Sequence, residues 1–241
     1  MNDVIRQLME RKSVRVYENL EIGETEKRMI IEAACQAPTA GNQQLYTILD
    51  ITDQKIKDKL AETCDNQPFI ATAKLILIFC ADCKKWYDAF RYADCQPRKP
   101  AVGDLLLAVS DATIAAQNAV TAAQSLGIGS CYIGDVMENC EAHRELLNLP
   151  NYVFPAAMLV FGYPTRQQMD REKPRRAAME HIVHENGYRA MDGEELQHLF
   201  APKWGNKAYE DSMQAFCNRK YHSEFSREMS RSVGEYLKDF L

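Results

Sequence analysis

Much that would mark a nucleic-acid binder, a metalloprotein or a secreted disulfide scaffold is missing from this 241-residue chain. Lys and Arg number 29 against 34 Asp and Glu, a formal charge of −5. The basic excess that neutralises a phosphate backbone is therefore absent. No GxxxxGK[ST] loop occurs. Gly127-Ile128-Gly129 is not the dinucleotide fingerprint, because Tyr132 stands where the third glycine belongs and a predicted helix, not a strand, precedes it. No HExxH pattern is present, and Cys80-Ala81-Asp82-Cys83 has no second CxxC beside it, so no metal is expected. No local signature of a Ser-His-Asp or Cys-His hydrolase is found. The opening Met-Asn-Asp-Val lacks a basic segment followed by an apolar one, so no secretory signal is visible. The eight cysteines are then expected as free thiols in a reducing cytoplasm. The longest apolar stretch, Leu105 to Leu126, carries Ser110, Asp111, Thr113, Gln117 and Asn118. That reads as a buried core helix rather than a membrane span.

What is present is ordinary globular composition, 46% hydrophobic and 26% charged. There is no internal repeat, no low-complexity tract and no clean linker. Helical spacing of Val4, Ile5, Leu8 and Met9 predicts a helix over 3–10. Thr25 is the expected N-cap of a second helix reaching about Gln36. Pro38 to Asn42 reads as loop, Tyr46 to Ile51 as a strand, and Asp53 as the cap of a helix to about Thr63. Leu75 to Cys80 is continuously apolar, as a strand covered on both faces would be. A long Ala-rich helix is expected from about Asp104 to Leu126, a second buried strand over Ala156 to Phe161, and a polar loop over 165–176. From Glu194 the pattern is helical. Long helices mixed with short apolar strands predict a layered α/β or α+β domain. A helical C-terminal extension, 191–241, follows a main region of 1–190.

Four segments are candidates for chemistry. Arg11-Lys12-Ser13-Val14-Arg15 puts two guanidinium forks and a hydroxyl on one face of an extended chain, suited to phosphate or another planar anion. A solvated basic patch closing a helix is the plainer reading. Lys173-Pro174-Arg175-Arg176 offers similar chemistry far away, or simple surface charge. Pro38-Thr39-Ala40-Gly41-Asn42-Gln43-Gln44 concentrates amides that can read a heterocycle edge, or makes an ordinary helix-to-strand connection. For the glycines of 127–134 the plain reading is that they stop the helix. Cys80 and Cys83 read as small core residues.

In this order and spacing the segments resemble the nitroreductase family of FMN-dependent oxidoreductases. The likeness is to the branch of NADPH-dependent oxygen-insensitive nitroreductases and NADPH:FMN flavin reductases. It also rests on Gln67 before Pro68-Phe69-Ile70, Gln117-Asn118, Gly162-Tyr163-Pro164 and His184-Glu185-Asn186-Gly187-Tyr188. It covers about residues 3–190. The resemblance implies an α+β three-layer fold with a central mixed sheet between helices, in an intertwined homodimer with FMN at the interface. It implies that Arg11, Lys12, Ser13, Arg15, Lys173 and Arg175 bind the FMN phosphate and ribityl chain. Thr39, Asn42 and Gln44 would come from the partner subunit. Gln67 would contact the pyrimidine edge, and Tyr132, Ile133 and Gly134 would line the dimethylbenzene or N5 side.

The expected activity is ping-pong hydride transfer from NADPH through the flavin to nitroaromatics, quinones or free flavin. Arg219 and Lys220 are candidate readers of the NADPH 2′-phosphate. No protein acid or base is required. Two alternatives stay open: a flavin-holding sensor with slow turnover, and a specialised reductase on the same scaffold. In the second, Cys83, Trp86, Tyr87 and Phe90 are candidates to shape a substrate pocket, or else pack a core or interface. No nucleic acid or membrane partner is expected.

Overall fold

Asn2 opens the chain's first helix by accepting the Ile5 N–H on its side chain at 3.0 Å. The computed structural model describes residues 1–205 and 207–241. In order, it runs α1 (Asp3–Glu10), α2 (Glu24–Cys35), β1 (Tyr46–Asp50), α3 (Gln54–Thr63) and α4 (Pro68–Ala71). Then come β2 (Leu75–Asp82), α5 (Lys84–Tyr92), α6 (Val102–Ser125), β3 (Gly129–Ile133), α7 (Cys140–Leu147), β4 (Val153–Gly162) and α8 (Arg166–Asp170). Helices α9 (Gly193–Phe200), α10 (Tyr209–Cys217) and α11 (Glu224–Leu237) complete it. The chain divides into two compact units: Met1–Arg171 with Glu228–Leu241, and Glu172–Arg227. The helical extension read from residue 191 onward falls partly in each.

The first unit is built on one sheet of strand order β1-β2-β4-β3 with antiparallel ladders. Its parallel component is a single bridge, Ser13 to Ser130. Every residue of β2 is buried, as its unbroken apolar run requires of a strand covered twice. Alternation sorts the side chains into two cores. Leu75, Leu77, Phe79, Leu159 and Phe161 pack with the alanine face of α6 and with Ile30 and Ala34 of α2. Ile76, Ile78, Met158 and Val160 pack with Leu60 of α3, Ile70 of α4 and Tyr236 of α11. The result is the expected α+β fold, with antiparallel ladders throughout the sheet in place of the mixed sheet expected from the resemblance. By length and composition α6 qualifies as a membrane span, yet its alanine face is spent on this core.

Some elements differ from the sequence reading. Helix α2 begins at Glu24 with Gly23 at the cap, and no Thr25 side chain caps it. The glycine segment expected only to stop a helix is the edge strand β3. Cys80 and Cys83 flank a strand-to-helix turn. Asp82 sits inside it, accepting from Lys84 N at 3.0 Å, Lys85 N at 3.1 Å and Thr47 Oγ1 at 2.6 Å. Burial pushes both thiols up to about 12, so each stays protonated as core filling. No cluster of potential metal ligands occurs among the described residues.

Candidate functional site

The segment after α1 is laid onto the sheet by two glycines. Val14 N–H donates to Ser130 O at 3.0 Å, and Glu18 N–H to Tyr163 O at 2.8 Å. A Cβ on Gly129 would stand 2.6 Å from Val14 Cγ2, and one on Gly162 would stand 2.5 Å from Tyr17 Cδ1. Only residues without side chains let the segment approach this closely. Val14 is buried, Arg11, Lys12 and Ser13 are half-buried, and Arg15 and Val16 are exposed. Gly129→Ala is therefore expected to lower unfolding stability by about 2 kcal/mol through overpacking. Urea titration reads it, and a Val14→Ala second change should recover much of the loss.

The cations of this segment are used differently. Arg11 Nε is buried and has no hydrogen-bond partner among the described residues. An unsatisfied buried guanidinium nitrogen is an opening for an acceptor. Arg11 also lies near Tyr132: burial pushes that phenol up to about 12, and the Arg11 charge pulls the other way. Lys12 Nζ donates to Met169 O at 2.6 Å and to Arg171 O, tying the segment to the end of α8. Arg171 returns a bond to Ser13 O at 2.5 Å. Arg15 N–H donates to Gln168 Oε1 at 3.2 Å, while its guanidinium lies 5.8 Å from the Phe69 ring centre. Sequence reasoning missed Gln168 and Arg171. Both sit in the polar stretch after β4, where nothing in the residue pattern separates them from solvated neighbours.

Gln67 occupies the N-cap position of α4. Its amide nitrogen donates to Cys64 O at 2.9 Å and to Asp135 Oδ2 at 2.8 Å. That leaves the amide oxygen as an acceptor. Ile133 is buried and Gly134 exposed at the end of β3, beside Asp135. Arg11, Ser13, Arg15, Gln67 and Tyr132 to Gly134 thus gather in one region. It combines cationic donors for an anion with an amide acceptor and one exposed glycine, Gly134.

The amide loop lies elsewhere. Asp111, buried in α6, accepts from Thr39 Oγ1, from Ala40 N at 3.1 Å and from Leu45 N at 3.2 Å. Thr39 Oγ1 in turn accepts Gln44 N–H at 2.8 Å, and the Gln44 amide folds back onto Asn42 Oδ1 at 2.9 Å. Asn42 and Gln44 both hold positive φ and are exposed. The loop leads into β1, where Tyr46 pairs with Ala81, whereas Ser130 pairs with Phe161 opposite Leu75. Six residues of β2 separate those rows, about 20 Å along the strand. Within one chain Thr39, Asn42 and Gln44 therefore do not join Arg11 and Arg15. Beside the loop, Cys83, Trp86, Tyr87 and Phe90 line a cleft of about 280 Å³, with Trp86 Nε1 donating to Gln43 O at 2.7 Å.

The second unit holds the remaining candidates. Lys173 is half-buried and Arg175 exposed. Arg219 stacks 5.2 Å from the Phe216 ring centre and lines a cleft of about 600 Å³ with Trp204 and Lys207. Lys220 lies against Phe225, 5.8 Å from its ring centre.

On this sheet flanked by helices, Arg11, Ser13 and Arg15 lie in one region with the Gln67 amide. The chain belongs to the nitroreductase family, whose sequence model matches residues 8–163. It is 33% identical to the FMN reductase [NAD(P)H] of Bacillus subtilis over 99% of this chain and 92% of that one. It is also 33% identical to the oxygen-insensitive NADPH nitroreductase of Salmonella typhimurium, over 80% and 77% of the two chains. Among solved structures, B. megaterium NfrA2 superposes with a TM-score of 0.84 at 27% identity, covering 98% of both chains.

Proposed function

We propose that this protein is an FMN-dependent oxidoreductase. It takes hydride from NAD(P)H, NADPH favoured, and delivers it to nitroaromatics, quinones or free flavin by a ping-pong cycle. The observation that carries the reading is the Arg11 Nε, buried without an acceptor beside Ser13 and Arg15, in a chain whose curated relatives include FMN and nitro reductases. The donor set fits the group. Arg11, Ser13 and Arg15 supply donors for a phosphate and its chain, and the resemblance adds Lys173 and Arg175. Lys12 acts by fixing the loop at Met169 and Arg171. Gln67 offers its amide oxygen to the ring's N–H edge, and Gly134, exposed at the end of β3, leaves room for the ring. When bound, FMN supplies hydride acceptance and donation at its N5. The protein's residues orient it and exclude competing reactions. A cation such as Arg15 near the pyrimidine favours negative charge there.

The reading includes a homodimer. Thr39, Asn42 and Gln44 are separated from the cations of their own chain, so they serve the site of a second copy. Helix α6 leaves Leu106, Leu107 and Ile114 exposed, and α1 leaves Val4 and Ile5 exposed, as faces for that partner. For NADPH, Arg219 on its aromatic shelf is the leading phosphate reader, with Lys220 behind it. All eight cysteines are free, which suits a cytoplasmic setting.

Absorbance of the purified protein under argon tests the function. Flavin bands that bleach with NADPH and return on adding nitrofurazone are expected. Protein that remains colourless after incubation with FMN contradicts it. Equal kcat/KM for NADH and NADPH would remove the NADPH preference alone.

A further inference from the structure

The Gln67 amide is held from two sides. Its nitrogen donates one hydrogen to Cys64 O at 2.9 Å and the other to Asp135 Oδ2 at 2.8 Å. With both hydrogens used, the amide is fixed in one orientation and its oxygen lies on the other side. That orientation is only as firm as its two anchors. Cys64 closes α3. Asp135 opens a single short turn, Asp135–Met137. In it Met137 N–H donates to Gly134 O and Glu138 N–H to Asp135 O, each at 3.0 Å. One turn closes too few bonds to hold itself.

The helix that follows does not supply its own cap. Asn139, at the N-cap of α7, is left-handed, with φ 52°, and its side chain makes no cap. Its Nδ2 donates instead to Thr63 O at 2.9 Å, which ties the turn to the end of α3. The first N–H groups of a helix need acceptors from outside it. For Cys140 the acceptor arrives from α11, 92 residues later in the chain. Ser232 Oγ accepts Cys140 N–H at 2.9 Å and donates to Met137 O at 2.7 Å. One turn earlier in α11, Glu228 Oε1 accepts Asn139 N–H at 3.1 Å. From α7, His143 Nδ1 meets Val136 O at 2.9 Å. Ser232 is fully buried, so no water replaces its hydroxyl.

We propose that Ser232 is a positioning residue for flavin recognition: by bridging Met137 and Cys140 it fixes the turn whose Asp135 holds the Gln67 amide nitrogen, and so keeps the amide oxygen toward the ring edge. The inference rests on Gln67 contacting the flavin. Glu228 supports the same turn through Asn139. The C-terminal helix thereby serves the flavin edge without touching the ligand.

The test is a double-mutant cycle on the FMN dissociation constant of the full chain, read by flavin fluorescence. Ser232→Ala should weaken binding about fivefold in the parent and at most about twofold in Gln67→Ala, where no amide is left to orient. A residue that only supports the fold would weaken both backgrounds by the same factor. Glu228→Ala, in which Arg231 keeps its partner Glu141 at 2.8 Å, should show the same dependence on Gln67 with a smaller effect. Equal factors in the two backgrounds, or parent affinity in folded Ser232→Ala, overturn the proposal. If Ser232→Ala fails to fold, equal factors or no effect in Glu228→Ala does so. Gln67→Ala that binds FMN as the parent does would overturn the reading of Gln67, and the role of Ser232 with it. Weak binding by Gln67→Ala together with equal factors removes the role of Ser232 alone.

Discussion

Arg11→Ala is expected to weaken FMN binding about 10- to 100-fold, the worth of one charge-assisted contact to phosphate. The same change should leave the flavin-free protein at least as stable as the parent. The reason is the buried Nε, which has no acceptor among the described residues and so costs desolvation without return. Its removal relieves that cost while the segment stays docked through Val14 and Ser130. Opposite signs on affinity and stability mark a residue kept for its ligand. Fluorescence titration with FMN and thermal unfolding without it read the two effects. A lowered melting temperature with unchanged affinity would make Arg11 structural instead.

Asp111→Ala should act through the fold. The carboxylate gathers Thr39 Oγ1, Ala40 N and Leu45 N from a loop about 70 residues upstream. Alanine leaves those donors to find water or stay unpaired. A loss of about 2–4 kcal/mol in urea unfolding is expected, since part of the loop can rehydrate. The loop would no longer present Asn42 and Gln44, so FMN affinity should fall by at least tenfold although Asp111 touches no ligand. Unchanged affinity in a folded variant would separate the loop from the site.

The contrast between these two residues shows what was legible in the sequence. Arg11 to Arg15 stands out because its residue types are unusual together. The strand at Leu75 and the cap at Asp53 are equally plain, since each is decided within a few residues; Asp53 accepts Lys55 N–H at 2.7 Å as expected. Asp111 looked only like a charge interrupting an apolar helix, because its partners lie 66 to 72 residues away. Strand β3 was hidden for a related reason. Gly-Ser-Cys has weak strand preference, and the segment is extended because β4 pairs with one of its edges and Ser13–Val14 covers the other. Its one glycine, Gly129, is set by packing against Val14, a contact no local pattern announces. Helix α5 is started by Asp82 from the end of β2, outside the helix's own residues. The separation of the amide loop from the cations by about 20 Å of strand could be read only from the sheet's register.

That separation is the centre of the account, and a mixed dimer tests it most directly. Arg11→Ala chains and Asp111→Ala chains, carrying different tags, are co-expressed and the heterodimer is purified through both tags. If each site takes its cations from one copy and its loop from the other, one of the heterodimer's two sites is intact. It should then hold about half of the parent's tightly bound FMN and show about half its NADPH-dependent nitroreduction, although each variant homodimer is poor in both. A heterodimer no better than the variant homodimers would contradict the account, because cations and loop would then serve the same copy.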